Sequence, residues 1–298
     1  LVNVSSSQRS AVYTVTPTAT TGGCVGSTYT ITVPVNPQPV GTNAIKTAQC
    51  SDVAFSFNPQ TDISNAVAST FTWTAVYDGG SGQLTGGAGT GAANIAETLT
   101  NLSGSARNAV YTVTPRAVTG LCFGNTYTIT VPVQSEPVGA PSTKATQCSD
   151  VAFSFNPQSD ITNGVASTFA WTAVYDGGSG QLTGGAGSGT GLLAETLTNL
   201  SGSIRNAVYT VRPTSSAGSC AGSSFVITIP VTSEPVGANA SKTAQCSGVA
   251  FSFNPQADIS NGVTSTFAWT AVYDLASGLL TGGTGSGTGL IAETLTNL

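Results

Sequence analysis

From Val53 the chain alternates. Val53, Phe55 and Phe57 are apolar, while Ala54, Ser56 and Asn58 between them are small or polar. The same two-residue period returns at Phe71, Trp73, Ala75 and Tyr77 against Thr72, Thr74 and Val76, and at Tyr127, Ile129, Val131 and Val133 against Thr128, Thr130 and Pro132. A β-strand with one buried and one wetted face requires this pattern, because successive side chains point to opposite sides of the sheet. Shorter strands are predicted over 95–100 and 110–114, a first strand over 44–49, and an edge strand over 83–85 inside the Gly-rich connection 79–91. No segment sustains the 3.6-residue apolar period of a helix. Six or seven short strands punctuated by turn residues predict an all-β fold in which two sheets pack as a sandwich, with Trp73 on the third strand at its centre.

The whole pattern recurs with a fixed period of 98 residues, seen at Trp73, Trp171 and Trp269, at Cys24, Cys122 and Cys220, and at Cys50, Cys148 and Cys246. That is too long for a solenoid unit and right for a small domain. The period divides the chain into 1–38, the C-terminal part of one repeat; 39–136 and 137–234, two complete repeats; and 235–298, the N-terminal part of a further one. Pro-containing links at 36–39, 135–137 and 233–235 mark the boundaries. The opening LVNVSSS aligns with LTNLSGS from Leu99, so the chain reads as an internal stretch of a tandem array, with no leader peptide expected.

Composition narrows the partners. Only 7% of residues are charged, against roughly 25% in an average domain, and the net charge is −5 with no basic cluster. Nucleic acid and anionic membrane surfaces are therefore not expected, and the sequence holds no apolar run long enough for membrane insertion. Six cysteines without a CxxC spacing, in a chain with no histidine, point to disulfides in an oxidising compartment rather than to zinc. The expected location is extracellular, and no cofactor is expected.

The strings QCSDVAFSF, TFTWTAVYD, IAETLTNLSG, AVYTVTP and GLCFGNTYTITVPV resemble the PKD-like or immunoglobulin-like tandem repeats of very large Bacteroidetes surface proteins. The gliding-motility adhesins exported by the type IX system are the best-known bearers. The resemblance covers the whole chain. It implies tandem immunoglobulin-like sandwiches, secretion, a cell-surface position and an adhesive or spacer role, and it brings no catalytic residues.

The residues themselves offer little chemistry. Without histidine a Ser or Cys nucleophile lacks its commonest base. Asp62, Asp78 and Glu97 recur in the copies but are isolated in sequence, and read as solvated loop or strand-edge acids. Calcium at Asp62, Asp160 and Asp258 is the alternative, unsupported by any EF-hand spacing; the nearby Asp52 and Asp150 give way to Gly248. The run Gly87-Ala-Gly89-Thr-Gly91 superficially matches a dinucleotide fingerprint, but its third glycine is out of register and no βαβ unit surrounds it, so a flexible edge connection is expected. Of 22 aromatic residues, 21 fall in seven registers that alternation turns inward, with Phe123 alone outside, so the rings fill cores instead of forming a sugar-binding platform. Lys46, Lys144 and Lys242 could form isopeptide bonds to the last strand, but Asn125 there becomes Ser27 and Ser223 in the other copies; Lys46 is expected to snorkel at the surface.

The cysteines leave alternatives open. Cys50, Cys148 and Cys246 follow the first strand at one pole of the sandwich, and Cys24, Cys122 and Cys220 precede the last strand at the other. The poles stand roughly 20–25 Å apart, and a disulfide needs Cα atoms within about 7 Å. An interdomain bond between Cys50 and Cys220 is favoured. An intradomain bond such as Cys50–Cys122, under a different strand order, and free thiols are the alternatives. The expected function is a non-catalytic stalk or filament whose partners are neighbouring repeats of the same chain and other copies in a fibre; direct adhesion to an unidentified surface ligand is the second reading. The change of Asp78-Gly-Gly-Ser-Gly to Asp274-Leu-Ala-Ser-Gly favours the stalk, because a binding loop would be kept.

Overall fold

The computed structural model describes residues 1–101, 103–273 and 278–298, so the divergent stretch from Asp274 to Ser277 lies outside the described residues. The chain forms two compact units. The first holds Leu1–Val138, Ile161–Ser167 and Thr214–Gly222; the second holds Gly139–Asp160, Thr168–Pro213 and Ser223–Leu298.

In the first unit, β1 (Arg9–Val15) and β2 (Tyr29–Val35) pair as an antiparallel hairpin. A sandwich follows, made of β3 (Ala44–Ile45), β4 (Gln49–Cys50), β5 (Ala54–Phe57), β6 (Ser69–Tyr77), β7 (Leu84–Thr85), β8 (Thr90–Ala92), β9 (Ile95–Thr98), β10 (Thr100–Asn101), β11 (Arg107–Ala117) and β12 (Tyr127–Gln134). One sheet runs β3-β12-β11-β6-β8, with β4 also on β12; β5 pairs with β9, and β7 with β10. Tyr111, Ile129, Val131 and Val133 are fully buried, with Phe55, Phe71, Trp73 and Ile95 in the same cluster. The alternating residues thus fill one core, and the fold is all-β as the periodicity predicts.

In the second unit the same strand order recurs: Ser142–Thr143, Phe225–Thr232, Arg205–Ser215, Ser167–Tyr175 and Ser188–Thr190 lie side by side, and Ala152–Phe155 pairs with Leu193–Thr196. Among the described residues, 235–298 form only two-stranded pairs, such as Ala250–Phe253 with Ile291–Thr294.

One expectation needs correction. The first strand is not continuous: β3 and β4 are separate two-residue pieces, each parallel to β12, with the chain stepping off the ladder after Lys46, whose amide still donates to the Thr130 carbonyl. The Gly-rich connection holds the expected edge strand as β7 and runs on into β8 at the edge of the larger sheet, and two of its glycines lie against aromatic rings. A Cβ on Gly87 would stand 2.1 Å from the Tyr77 ring and one on Gly91 2.2 Å from the Trp73 ring, while Gly89 has the left-handed φ of +76°. The same contacts recur at Gly185 under Tyr175 and Gly189 under Trp171.

Trp171 stands edge-on to Tyr209, with centroids 5.4 Å apart, and is 6% exposed. Truncating so large a packed ring removes its transfer energy and leaves a cavity, so Trp171→Ala should destabilise its own repeat by about 3–5 kcal/mol. Denaturant unfolding checks this; equal stability of the two proteins would take the ring out of the core.

Candidate functional site

The polar features that recur from copy to copy gather in two places: between the sheets, and at the links between repeats. Between the sheets lies Glu97 on β9. Its carboxylate accepts from the Tyr77 hydroxyl at 2.8 Å, the Tyr111 hydroxyl at 2.5 Å and the Ala88 amide at 2.8 Å. Tyr77 in turn accepts from the Gly89 amide. Glu195 repeats the arrangement with Tyr175, Tyr209 and Ala186. Burial first, and then the neighbouring carboxylate, pushes the Tyr77 hydroxyl up to about 12 and raises Tyr111 as well. Glu97 is therefore no solvated strand-edge acid; it carries a cross-sheet hydrogen-bond network.

The other recurring acids are also engaged. Asp62 holds the Lys46 ammonium with both oxygens, at 2.8 and 2.7 Å, and the pair is largely buried. Lys144 with Asp160 and Lys242 with Asp258 repeat it. The three calcium candidates thus already have a cationic partner. Among the described residues there is no cluster of three or more potential metal ligands. Lys46 does not snorkel, and it faces Asp62 rather than Asn125, which precedes β12. Asp78 pairs with Arg107. Asp52 and Asp150 both have φ of +58°, and Gly248 at the same register has +77°. A left-handed backbone is what this register demands, which explains why aspartate and glycine interchange there.

The links are clamped by one asparagine per repeat, which sequence reading missed. Asn65 accepts from the Val40 amide and donates to the Gln38 carbonyl. Asn163 does the same with Val138 and Glu136, and Asn261 with Val236 and Glu234. Each side chain therefore both accepts from and donates to the backbone of a Pro-containing link. The preceding repeat comes close: a Cβ on Gly104 would lie 2.4 Å from the Asn163 carbonyl, and one on Gly202 2.2 Å from that of Asn261. The available signal was the register itself, since Asn65, Asn163 and Asn261 are identical in all three copies.

At the link between the two complete repeats, Cys50 and Cys220 are joined by a disulfide, with Cα atoms 5.5 Å apart. Cys50 lies opposite Gln134 on the parallel ladder of β4 and β12. Cys220 is presented by a tight turn in which Gly218 and Ser219 both have positive φ, at 86° and 54°; consecutive left-handed residues give such a turn its sharpness. The Ser215 hydroxyl accepts from the Cys220 amide at 3.1 Å. Cys24, Cys122, Cys148 and Cys246 are free thiols. A carboxyl pair adjoins the same link. Burial first, then the Asp52 charge and hydrogen bond, raises the Glu136 carboxyl above its usual range. Glu234 is raised as well, chiefly by its hydrogen bond to Asp150.

Non-reducing peptide mapping should recover Cys50 joined to Cys220; a Cys50–Cys122 peptide would contradict both the bond and the strand order. The raised Glu136 gives a second expectation. A raised carboxyl keeps its proton in the folded protein where the unfolded chain has lost it. Its contribution is complete below the ordinary Glu value of about 4.3 and is lost as pH rises through the raised value. The thermal midpoint of Glu136→Gln should therefore lose this component of the fall with pH. Parallel midpoint–pH profiles for the two proteins would show that the pair does not couple to folding.

The profile of the PKD-like domain family matches residues 1–39, 47–137 and 145–235. Among solved structures, mouse clustered PcdhgC3 EC1-3 is 10% identical over 78% of this chain and 79% of its own, with a TM-score of 0.30. The insect immune protein hemolin is 12% identical over 73% of this chain and 58% of its own, with a TM-score of 0.23. Zebrafish RET cadherin-like domains 1 to 4 are 10% identical over 76% and 58%, with a TM-score of 0.17. At such scores these likenesses carry no argument about function. No curated protein matches the chain.

Proposed function

The chain belongs to the PKD-like domain family, and we propose that its repeats are non-catalytic structural modules of an extended stalk or filament on the outside of a cell. The observation that carries this reading is the Cys50–Cys220 bond, which joins two successive repeats at a link already held by Asn163. Reinforcement of that kind resists bending and stretching; it does nothing for turnover. The recurring acids and aromatics support the same reading, because they serve cores, ion pairs and links. Sequence resemblance to the repeats of large Bacteroidetes surface proteins, gliding-motility adhesins among them, supports a secreted, adhesin-borne stalk, and the disulfide suits an oxidising exterior. Among the described residues no helix is long and apolar enough to cross a membrane.

Stretching single molecules tests the mechanical role. The bond shields the chain between two cysteines 170 residues apart, so reduction should release about 600 Å of additional extension at ~3.5 Å per residue. Equal extension of oxidised and reduced chains would leave the bond outside the load path and sink the stalk reading.

A further inference from the structure

Sheet edges decide what a β-sandwich can pair with, because the outer side of an edge strand carries amides and carbonyls with no partner in the sheet. In the repeat 39–136 most edges are blunted. One edge of the larger sheet is broken into the two-residue β3 and β4. The other is the three-residue β8, after which Ala93 turns away with a left-handed φ of +63°. β7 has two residues and is flanked by Gly82 and Gly86, at φ of +76° and +91°. The far side of β9 lies against the Gly-rich connection, where a Cβ on Gly86 would stand 2.8 Å from the Thr98 carbonyl. Beside β10 the Ser51 hydroxyl accepts from the Asn101 amide, and the Asp52 amide donates to the Leu99 carbonyl.

The outer side of β5 is different. The first strand, which could have covered it, lies on β12 instead. Among the described residues only β9 bonds to the backbone of Ala54–Phe57, and a strand turns its amides and carbonyls to both of its edges. This edge has neither charge nor proline, the devices that usually protect an exposed strand.

The segment is also unchanging. Residues 53–60 return letter for letter at 151–158 and 249–256, while the positions on either side drift: Asp52 and Asp150 give way to Gly248, and Thr61 to Ser159 and Ala257. Phe55 and Phe57 have a core to fill, but Ala54 and Ser56 are exposed and are kept as well. Val53, Val151 and Val249 are 51%, 52% and 52% exposed, so the edge is equally open in the complete repeats and in 235–298.

We infer that β5 of one chain pairs antiparallel with β5 of a second copy, so that chains associate side by side through their sheet edges. A second copy is the occupant that these observations select: it brings the same eight residues, uncharged like the first, and a two-fold axis closes the pair. Directly opposed residues of an antiparallel pair share a face. In a pair centred on Phe55, Val53 stands opposite the partner's Phe57 on the core face, and Ala54 opposite the partner's Ser56 on the wet face. Two four-residue strands bury little surface, so one such pair is weak; the edge recurs in each copy, and successive pairs add avidity. This inference goes beyond the stalk reading and stands without it.

The test first blocks the free thiols with iodoacetamide, without reduction, so that the Cys50–Cys220 bond stays and no new disulfide joins the chains. Sedimentation should then show association that rises with concentration, and hydrogen exchange over 54–57, 152–155 and 250–253 should slow as chains associate. Ser56→Lys combined with Ser154→Lys and Ser252→Lys should abolish both effects, because lysine guards an edge against pairing. Threonine at the same three positions should preserve them. The lysines project into water, so the melting midpoint should hold. A single species at every concentration, exchange in these segments that ignores concentration, or association that survives the three lysines would each overturn the inference.

Discussion

A carboxylate placed between two β-sheets must collect donors from its surroundings, or its burial costs several kcal/mol. Glu97 meets that demand with two tyrosine hydroxyls from the opposite sheet and one loop amide. Much of the repeat follows. Tyr77 and Tyr111 must stand in the core with their hydroxyls converging, and their rings meet nearly edge-on with centroids 6.4 Å apart. The backbone of 87–91 must pass beneath the Tyr77 and Trp73 rings, where only glycine leaves room at Gly87 and Gly91. That passage brings β8 to the sheet edge beside β6. One half-buried carboxylate thus links the aromatic pair, the glycine spacing and the edge of the sheet.

The same sandwich sets up its own poles. Because β4 runs parallel to β12, Cys50 is held beside Gln134 at the end where the chain leaves the repeat. The turn bearing Cys220 approaches that end so closely that a Cβ on Gly218 would lie 2.9 Å from the Gln134 side chain. Asn163 holds the link between them. Covalent bond, backbone contact and side-chain clamp are three constraints on one link, each supplied by a different loop.

Strand alternation, the central tryptophan and the repeat were legible because a two-residue period and a fixed register are carried by many residues at once. The meaning of single residues was harder to read. Glycine in 79–91 signalled freedom in the sequence, yet Gly87 and Gly91 are there because rings occupy the space of a side chain, and sequence does not distinguish the two causes. The acids looked isolated because their partners are remote along the chain: Asp62 meets Lys46 across 16 residues, and Glu97 meets Tyr77 across 20. The register held a usable signal even so, since Lys46, Lys144 and Lys242 keep a constant offset from Asp62, Asp160 and Asp258. The first strand failed as a single element because the chain leaves the ladder after Lys46, whose amide is still bonded to Thr130, and rejoins it at Gln49.

The offset of the disulfide decides what it can do under tension. A bond within one repeat, from the Cys50 register to the Cys122 register, would shield that stretch and leave the one from Cys122 to Cys148 to bear load unaided. The bond instead reaches one period further, so its loop encloses Cys148, the cysteine from which a next bond of the same offset would start. Successive loops of this kind overlap. Every residue of an array so bonded lies inside at least one loop, and the links between repeats lie inside as well. Between one disulfide and the next, the shortest covalent path runs along a 26-residue stretch such as Cys220 to Cys246, so the strand Phe225–Thr232 within it carries tension between the two bonds. Near-identity of the copies, which would be wasteful in a set of binding sites tuned to different ligands, is what keeps such a series of offset bonds in register.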